Sequence, residues 1–366
     1  MIYADNAATT KLDIDVFDAM KPFLLEDYSN PSQPYSFSRE SKNAIKNARK
    51  SIAFCIGAAP EEIYFTSCGT ESDNWAIKSG GESGIATSII EHHAILNSCK
   101  SLEKKGVKVI YAPVNSVGEI DITWLEKNLS SEIKLVSIMF ANNEIGTIQP
   151  IEELAKIVHR NNCVFHTDAV QAVGHININV HEMGIDMLSA SAHKFNGPKG
   201  IGFLYVKKGI ILPAFFDGGG QERGGRAGTE NVPSIVGMAV ALQKNCDHIK
   251  QNENYIRGLE EKFIHELQGL NIDFIRNGSN NRIPGNVSLS FRGCNGEMLL
   301  HRLDLMGICV STGSACDSEN IQISHVIQAI NVSPEYAHGT IRISLGINNT
   351  ENEVIKIARS LKRIIN

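Results

Sequence analysis

Short apolar runs alternate with stretches of helical periodicity over the first two thirds of the chain. Runs of strand length occur at residues 63–65, 85–90, 107–111, 135–140, 163–165, 185–188 and 201–206. Apolar residues with helical spacing occur around and between them, at residues 39–56, 92–105, 123–129 and 151–160. This alternation predicts an α/β fold with a mostly parallel sheet and helices on both of its faces.

The pattern changes after about residue 232. A helical stretch at 235–265, read as one helix or as two with a break, precedes short strands and helices in mixed order. We therefore predict a large domain formed by residues 13–247 and a smaller α+β domain formed by residues 1–12 and 248–366. Residues 1–10 are polar and rich in alanine, and we expect them to lie across another part of the fold.

Two of the predicted strands lead into charged residues. Asp168 follows the run 163–165, and Lys194 follows the run 185–188. Ligands of open α/β sheets bind at such strand ends. An anion and an amine suit pyridoxal phosphate, which forms a Schiff base with a lysine and pairs its ring nitrogen with an aspartate. Taken alone, the two residues also fit a solvated lysine and a helix-capping aspartate.

Donors suited to phosphate lie nearby. Ser191 and His193 flank Lys194, and Gly69-Thr70-Glu71 opens a helix after a strand. Because helix N-termini attract phosphate, we predict binding here rather than simple capping. The Gly-rich stretch 218–229 is either a surface loop or a second arm of the same site. Its candidate phosphate donors are Arg223, Arg226 and Thr229.

Other candidates around the ring are less specific. Gln171 lies three residues past Asp168, so a helical turn would put both on one face. His92 follows a strand and is suited to stacking and proton transfer, although the adjacent His93 is equally available from spacing. Asn143 is an amide that can bind a cofactor oxygen or a carboxylate.

Cys316 and Arg342 are candidates for chemistry on a substrate. Cys316 ends a stretch of small residues, 311–316, which suits a reactive thiolate as well as it suits a structural cysteine. Arg342 is suited to bidentate binding of a carboxylate, with a surface salt bridge as the alternative.

The composition of the chain limits the functions and partners to be expected. The net charge of −5 gives no reason to expect nucleic acid as a partner, and no apolar run approaches the length of a membrane span. The N-terminus lacks the features of a signal peptide, so we expect a cytoplasmic protein. None of the eight cysteines forms a CxxC motif, and no metal site is predicted.

Taken together, these motifs resemble the cysteine desulfurases of the class V aminotransferase group, with pyridoxal-phosphate fold type I. The resemblance is closest to the branch that supplies sulfur for iron–sulfur clusters. It runs nearly end to end, through the segments YADNAATT, FTSCGTESDN, EHHAIL, NNEIGTIQP, HTDAVQAVG, SAHKFNGPKG, GGGQERGGRAGTENVPSIVG, STGSAC and IRISLG. It implies a large domain with a mostly parallel seven-stranded sheet and a smaller α+β domain that carries the catalytic cysteine.

The resemblance also implies a role for each candidate. Lys194 would carry the cofactor, Asp168 would pair with the ring nitrogen, Gln171 would bind the ring hydroxyl oxygen, and His92 would stack on the ring. The phosphate would be bound by Thr70, Ser191, His193 and Thr229 of the partner subunit, with Glu71 in the same motif. Asn143 and Arg342 would orient the substrate carboxylate, and Cys316 would be the nucleophile.

The implied reaction converts L-cysteine to L-alanine and leaves a persulfide on Cys316. Expected partners are a second copy of the chain and a sulfur-acceptor protein such as an iron–sulfur scaffold. The alternatives are a selenocysteine lyase or aminotransferase of the same fold, and a non-catalytic sulfur carrier. Several positions depart from the family pattern without removing a residue that the chemistry requires: Tyr35, Ala192, Gly225, Asp317 and Glu319.

Overall fold

The computed structural model describes residues 1–80, 83–313 and 323–365. The strands within these ranges are β1 (Ile2–Tyr3), β2 (Ile63–Thr66), β3 (Gly84–Ser88), β4 (Val109–Ala112), β5 (Ile133–Ser137), β6 (Val164–Asp168), β7 (Met187–Ser191), β8 (Gly202–Val206), β9 (Phe274–Arg276), β10 (Asn286–Phe291), β11 (Ile308–Cys309) and β12 (Thr340–Ser344). The helices are α1 (Ile14–Leu25), α2 (Arg39–Cys55), α3 (Gly69–Lys78), α4 (His93–Glu103), α5 (Ile122–Asn128), α6 (Ile151–Arg160), α7 (Val232–Asp247), α8 (Ile249–Gly269), α9 (Gly296–Leu305), α10 (His325–Ala329), α11 (Pro334–Ala337) and α12 (Glu351–Ile365).

Seven strands form the central sheet, in the order β2-β8-β7-β6-β5-β3-β4. Strands β7, β6, β5, β3 and β4 run parallel, whereas β8 is antiparallel to both of its neighbours, β7 and β2. Strands β3, β7 and β8 are buried along their whole length, as expected for strands covered on both faces. The predicted α/β class and the seven-stranded, mostly parallel sheet are confirmed.

The carboxyl ends of the parallel strands meet along one edge. Asp168 is the last residue of β6 and pairs in register with Ser189 of β7. Because β6 and β7 are parallel neighbours, Asp168 and the turn that follows Ser191 lie at the same edge of the sheet. The sheet therefore brings together an acid and a lysine that are 26 positions apart.

A second hydrophobic core lies in the C-terminal part of the chain. It contains residues of the antiparallel sheet β12-β10-β9 and of helices α8, α9 and α12. Ile2 and Ala4 from the N-terminus belong to the same core, and β1 pairs with β11. Helix α7 ends at Asp247 and α8 begins at Ile249, so the helical stretch is two helices with a break at His248. The exact domain division at 12/13 and 247/248 stays a prediction.

Among the described residues, no helix is long and apolar enough to cross a membrane.

Candidate active site

A cavity of about 340 Å³ opens at the carboxyl edge of the central sheet. Its walls come from the ends of β6 and β7, the start of α3, the N-terminal segment and the strand β12. Most of the predicted site residues line it: Thr70, His92, Asn143, Asp168, Gln171, Ser191, His193, Lys194 and Arg342. Residues far apart in the sequence thus meet around one space.

Lys194 ends a single helical turn that follows β7. Its Nζ donates to the carbonyl oxygens of Ala7 at 2.6 Å and Ala8 at 2.9 Å. Thr10 fastens this N-terminal segment to the same turn, because its backbone N–H and its hydroxyl both donate to the carbonyl oxygen of His193. Residues 1–10 therefore lie across the site, as predicted, and hold the lysine amine at the cavity wall.

Asp168 is the buried anion of the site. Its Oδ1 accepts a hydrogen bond from the backbone N–H of Val170 at 2.9 Å. Burial raises the pKa of Asp168, whereas His92, the Val170 N–H and Lys194 act in the opposite direction. A cationic ring nitrogen in the cavity would compensate this buried charge in the same way.

Asp73 was not predicted, and it lies beside Asp168. Burial, followed by the Asp168 charge, holds the pKa of Asp73 well above its ordinary range. Asp73, His92 and Asp168 each have one potential ligand atom within 4.8 Å of the others. These three side chains are suited to bind a metal ion as well as a ring nitrogen, so the absence of a metal site stays a prediction.

The start of α3 and the end of β7 form a cradle suited to phosphate. The Oγ of Ser191 is buried and has no hydrogen-bond partner within the described ranges. A Cβ at Gly69 would lie 2.6 Å from Val170 Cγ2, so glycine is required by the close packing at the start of α3. Burial, with help from the charges of Lys194 and Lys199, lowers the pKa of His193 to about 4, so this side chain is neutral at pH 7. An α-helix N-terminus supplies further donors.

The structure separates the two adjacent histidines. His92 lines the cavity and caps α4, with Nδ1 accepting from the backbone N–H of Ala94 at 3.1 Å. The neutral ring therefore carries its proton on Nε2. Burial lowers the pKa of His92, with Lys194 and His93 adding to this effect and Asp168 opposing it. His93 instead packs against His325, with ring centroids 5.1 Å apart.

Arg342 lies at the far side of the cavity, on β12. Its Nη2 donates to Asp5 Oδ1 at 2.7 Å, and its Nη1 donates to the carbonyl oxygen of Asn143 at 2.9 Å. The Nε atom is buried without a partner among the residues described. Arg342 is thus fixed in place with its Nε–H still available. On the near side, Gln171 Nε2 donates to the carbonyl oxygen of Ala7 at 3.0 Å.

The predicted second arm of the phosphate site does not form from the arginines of the same chain. Arg226 donates to both carboxylate oxygens of Glu71, at 2.8 and 3.2 Å, and Arg223 donates to the carbonyl oxygen of Ile63. Glu71 is therefore part of a buried ion pair and is absent from the cavity lining. Glu71 and Arg226 are 155 positions apart and neutralise each other as an ion pair. The residue spacing within either motif does not indicate this pairing.

Thr229 and Cys316 are the remaining predicted site residues. Thr229 is exposed and does not line the cavity of its own chain, so its role toward the partner subunit stays a prediction. Cys316 lies outside the described residues, as do Asp317 and Glu319. Ser311, Thr312 and Gly313, which lead toward it, line the cavity.

Comparison with known proteins gives the family. The aminotransferase class-V profile matches residues 2–357. The chain belongs to the aminotransferase class-V family. A protein of Dictyoglomus turgidum named cysteine desulfurase IscS is 48% identical over 371 residues, which cover 100% of this chain and 94% of that one. Membership supports the predicted use of pyridoxal 5′-phosphate.

Two solved structures extend the comparison. A NifS-like protein has a TM-score of 0.93 and 39% identity, with 100% of this chain and 99% of that chain covered. The structure of SspA in complex with cysteine has a TM-score of 0.85 and 37% identity, with 96% of this chain and 100% of that chain covered. The predicted fold class and family are confirmed.

The cavity fits pyridoxal 5′-phosphate. Ser191 Oγ and the first residues of α3, Gly69 and Thr70, suit the phosphate, and all three residues line the cavity. The buried carboxylate of Asp168 suits the ring nitrogen, and the Nζ of Lys194 borders the same space. The donors and the acid thus match the three polar parts of the cofactor.

Proposed function

We propose that this chain is a cysteine desulfurase, which takes the sulfur of L-cysteine and releases L-alanine. The observation that carries the proposal is the single cavity, with a cofactor cradle at one end and Arg342 at the other. The cavity is also bordered by Gly313, three positions before Cys316. A substrate that carries a carboxylate and a sulfur atom fits this arrangement.

The chain's own residues would hold the cofactor from three sides. Lys194 would bind it covalently through Nζ, Asp168 would face the ring nitrogen, and Gln171 would face the ring hydroxyl. Thr70, Ser191 and neutral His193 would donate to the phosphate. When bound, pyridoxal phosphate accepts electrons from the substrate's Cα. The buried Asp168 favours the protonated ring nitrogen because an uncompensated carboxylate is costly at this depth.

Arg342 and Asn143 would orient the substrate. Asp5 and the carbonyl oxygen of Asn143 fix the guanidinium, and the buried Nε is suited to one oxygen of the substrate carboxylate. A charge-assisted hydrogen bond in such a place binds about twice as strongly as a neutral one. Lys194 Nζ and His92 Nε2 are the groups that would move protons within the cavity.

Cys316 would take the sulfur. Its thiolate attacks the substrate sulfur, a sulfur–sulfur bond forms, and the carbon–sulfur bond breaks with its electron pair left on the carbon. Protonation of that carbon gives alanine, and the persulfide on Cys316 passes its outer sulfur to an acceptor. The thiolate, rather than the thiol, is the nucleophile in such a step.

The test compares Cys316→Ala with Cys294→Ala, a control cysteine in the C-terminal core that is partly buried. Holoenzyme is incubated with L-cysteine and a thiol reductant, and alanine and sulfide are measured. We expect equimolar products from the unchanged chain and the control, and a loss of at least about 100-fold in Cys316→Ala. Undiminished products in Cys316→Ala would exclude it as the sulfur acceptor. Amino transfer to a keto acid without sulfide would favour an aminotransferase.

We also propose a homodimer in the cytoplasm that delivers sulfur to an acceptor such as an iron–sulfur scaffold. Exposed Thr229 supports the dimer, because a phosphate donor that misses its own cavity suits the partner's cavity. Large apolar side chains exposed on α1, among them Ile14, Phe17 and Leu24, are compatible with burial against another chain. Sedimentation of the purified protein tests the dimer, and co-purification from its source cells tests the acceptor.

A further inference from the structure

Glu144 is a buried carboxyl group that the proposed chemistry leaves without a role. It lies in the turn after β5, where its backbone N–H donates to Asn142 Oδ1 at 2.9 Å. The preceding residue, Asn143, supplies the carbonyl oxygen that holds Arg342. Burial raises the pKa of Glu144 to about 7, against the opposing effects of Ser324 and Arg342. Burying a carboxyl group costs free energy, so the residues that contact Glu144 indicate its role.

Those partners lie on either side of the segment 314–322: Gly313 directly precedes it, and Ser324 is the second residue after it. Ser324 Oγ donates to Glu144 Oε2 at 2.6 Å. The same Oγ accepts from the backbone N–H of Val326 at 3.1 Å and so caps α10. On the other side, the carboxylate lies against Gly313, because a Cβ built on Gly313 would overlap Glu144 Oε2. One carboxylate oxygen thus contacts both flanking positions.

The flanking residues are also tied to the substrate end of the cavity. Ser311 and Arg342 exchange backbone hydrogen bonds of 3.0 and 2.7 Å. Ser311, Gly313 and Arg342 all line the cavity. The turn that carries Glu144 therefore contacts the arginine that would orient the substrate and the chain on both sides of the proposed nucleophile.

We propose that Glu144 is a positioning residue, which ties Gly313 and Ser324 to the turn that holds Arg342 and so supports the attack of Cys316 on a substrate bound there. Cys316 is the third residue after Gly313 and the eighth before Ser324. The inference rests on the proposed function, in which Cys316 attacks a substrate held by Arg342. It explains why an ionisable group is buried at a point where glutamine or an apolar residue would be cheaper.

The test uses three variants: Glu144→Gln, Ser324→Ala and the double variant. Ser51→Ala is the matched control, because its hydroxyl donates to Gln243 Oε1 at 3.1 Å between α2 and α7. Each holoenzyme is assayed for kcat and KM with L-cysteine. A second readout is the rate at which iodoacetamide alkylates Cys316, followed by peptide mapping and measured without cysteine. Cofactor absorbance and the melting temperature check that each variant is folded and loaded.

We expect Ser324→Ala and Glu144→Gln to lower kcat about 10-fold each, since misplacing a reacting group by about 1 Å costs up to about 100-fold. KM should stay within about twofold, because Arg342 keeps its Asp5 and Asn143 partners. The double variant should be no slower than the worse single variant, as expected when two groups act through one contact. The alkylation rate of Cys316 should change at least about threefold in all three variants, and Ser51→Ala should match the unchanged chain.

Three results would overturn the inference: a rise in KM at constant kcat, fully multiplicative effects in the double variant, or an unaltered alkylation rate. A merely structural role would lower the melting temperature without changing the alkylation rate of the folded enzyme. If the unchanged chain released no alanine from cysteine, the proposed function would fail. The alkylation rates would still decide the inference, because they need no turnover.

Discussion

Glu91 makes the stability of the folded chain depend on pH. Its Oε1 accepts hydrogen bonds from Ser88 Oγ at 2.6 Å and from the Met139 N–H at 3.0 Å. Its Oε2 is buried and unpartnered within the described part of the chain. Burial raises the pKa of Glu91 from its ordinary 4.5 to about 8, with the Asp168 charge adding to the shift and the two hydrogen bonds opposing it.

The sign follows from the proton balance. The folded chain keeps the Glu91 proton up to about pH 8, whereas the unfolded chain releases it near pH 4.5. Between these values the folded state binds more protons, so its stability falls as the pH rises. The stabilisation is fully present below pH 4.5 and is lost as the pH rises through about 8. A shift of this size corresponds to about 5 kcal/mol at most.

The variant Glu91→Gln removes the titration and keeps the volume and the acceptor at Oε1. Melting temperatures of the holoenzymes are measured between about pH 5 and about pH 8.5, with exposed Glu26→Gln as the control. For a chain of this size, 1 kcal/mol of stability corresponds to about 2 °C in melting temperature. Between the lowest and the highest pH, the melting temperatures of the unchanged chain and of the control should therefore fall by up to about 10 °C more than that of Glu91→Gln. If the melting temperatures of all three proteins changed in parallel with pH, Glu91 would not be buried in its protonated form, whatever the absolute melting temperatures.

Two further substitutions test the two ends of the cavity. Arg342→Lys keeps a positive charge but loses the bidentate guanidinium and its Nε–H, so the KM for L-cysteine should rise about 10- to 100-fold with a smaller change in kcat. The control is Arg257→Lys, whose partners are Glu253 and the carbonyl oxygen of Arg282, and it should leave both constants unchanged. An unaltered KM in Arg342→Lys would contradict the role of Arg342. Gly69→Ala puts a methyl group 2.6 Å from Val170 Cγ2 and should weaken cofactor binding about tenfold by equilibrium dialysis. Gly80→Ala is the control, because the nearest described atom to a Cβ at Gly80 is a carbonyl oxygen at 3.9 Å. Equal affinities of the two variants for the cofactor would contradict the assignment of the α3 N-terminus to the phosphate site.

The sequence predicted the centre of the fold well because buried parallel strands leave a clear signal. Their apolar runs end abruptly on polar residues, and this pattern located Asp168 and Lys194 at one edge of the sheet. Helix α1 was not predicted. Phe17 and Leu24 are exposed, Pro22 lies inside the helix, and Val16 is its one fully buried residue, so no helical stripe is visible.

The contacts that the sequence did not indicate join residues far apart in the chain. Glu71 and Arg226 each looked suited to a phosphate site, but they satisfy each other. Glu144 and Ser324 are 180 positions apart, and nothing in either motif indicates that the Ser324 hydroxyl donates to the Glu144 carboxylate. Residue types at a strand end indicate which chemistry is available, whereas the pairing of charges is decided by the packing of the whole chain.

The most direct test of the central claim is the position of the cofactor. Holoenzyme is reduced with borohydride, digested, and mapped by mass spectrometry, with Lys194→Ala treated in parallel. The reduced cofactor should be attached to the peptide that contains Lys194, and the variant should carry no stable label. A label on any other lysine, or an equal label in Lys194→Ala, would contradict the assignment of Lys194 as the cofactor-binding residue.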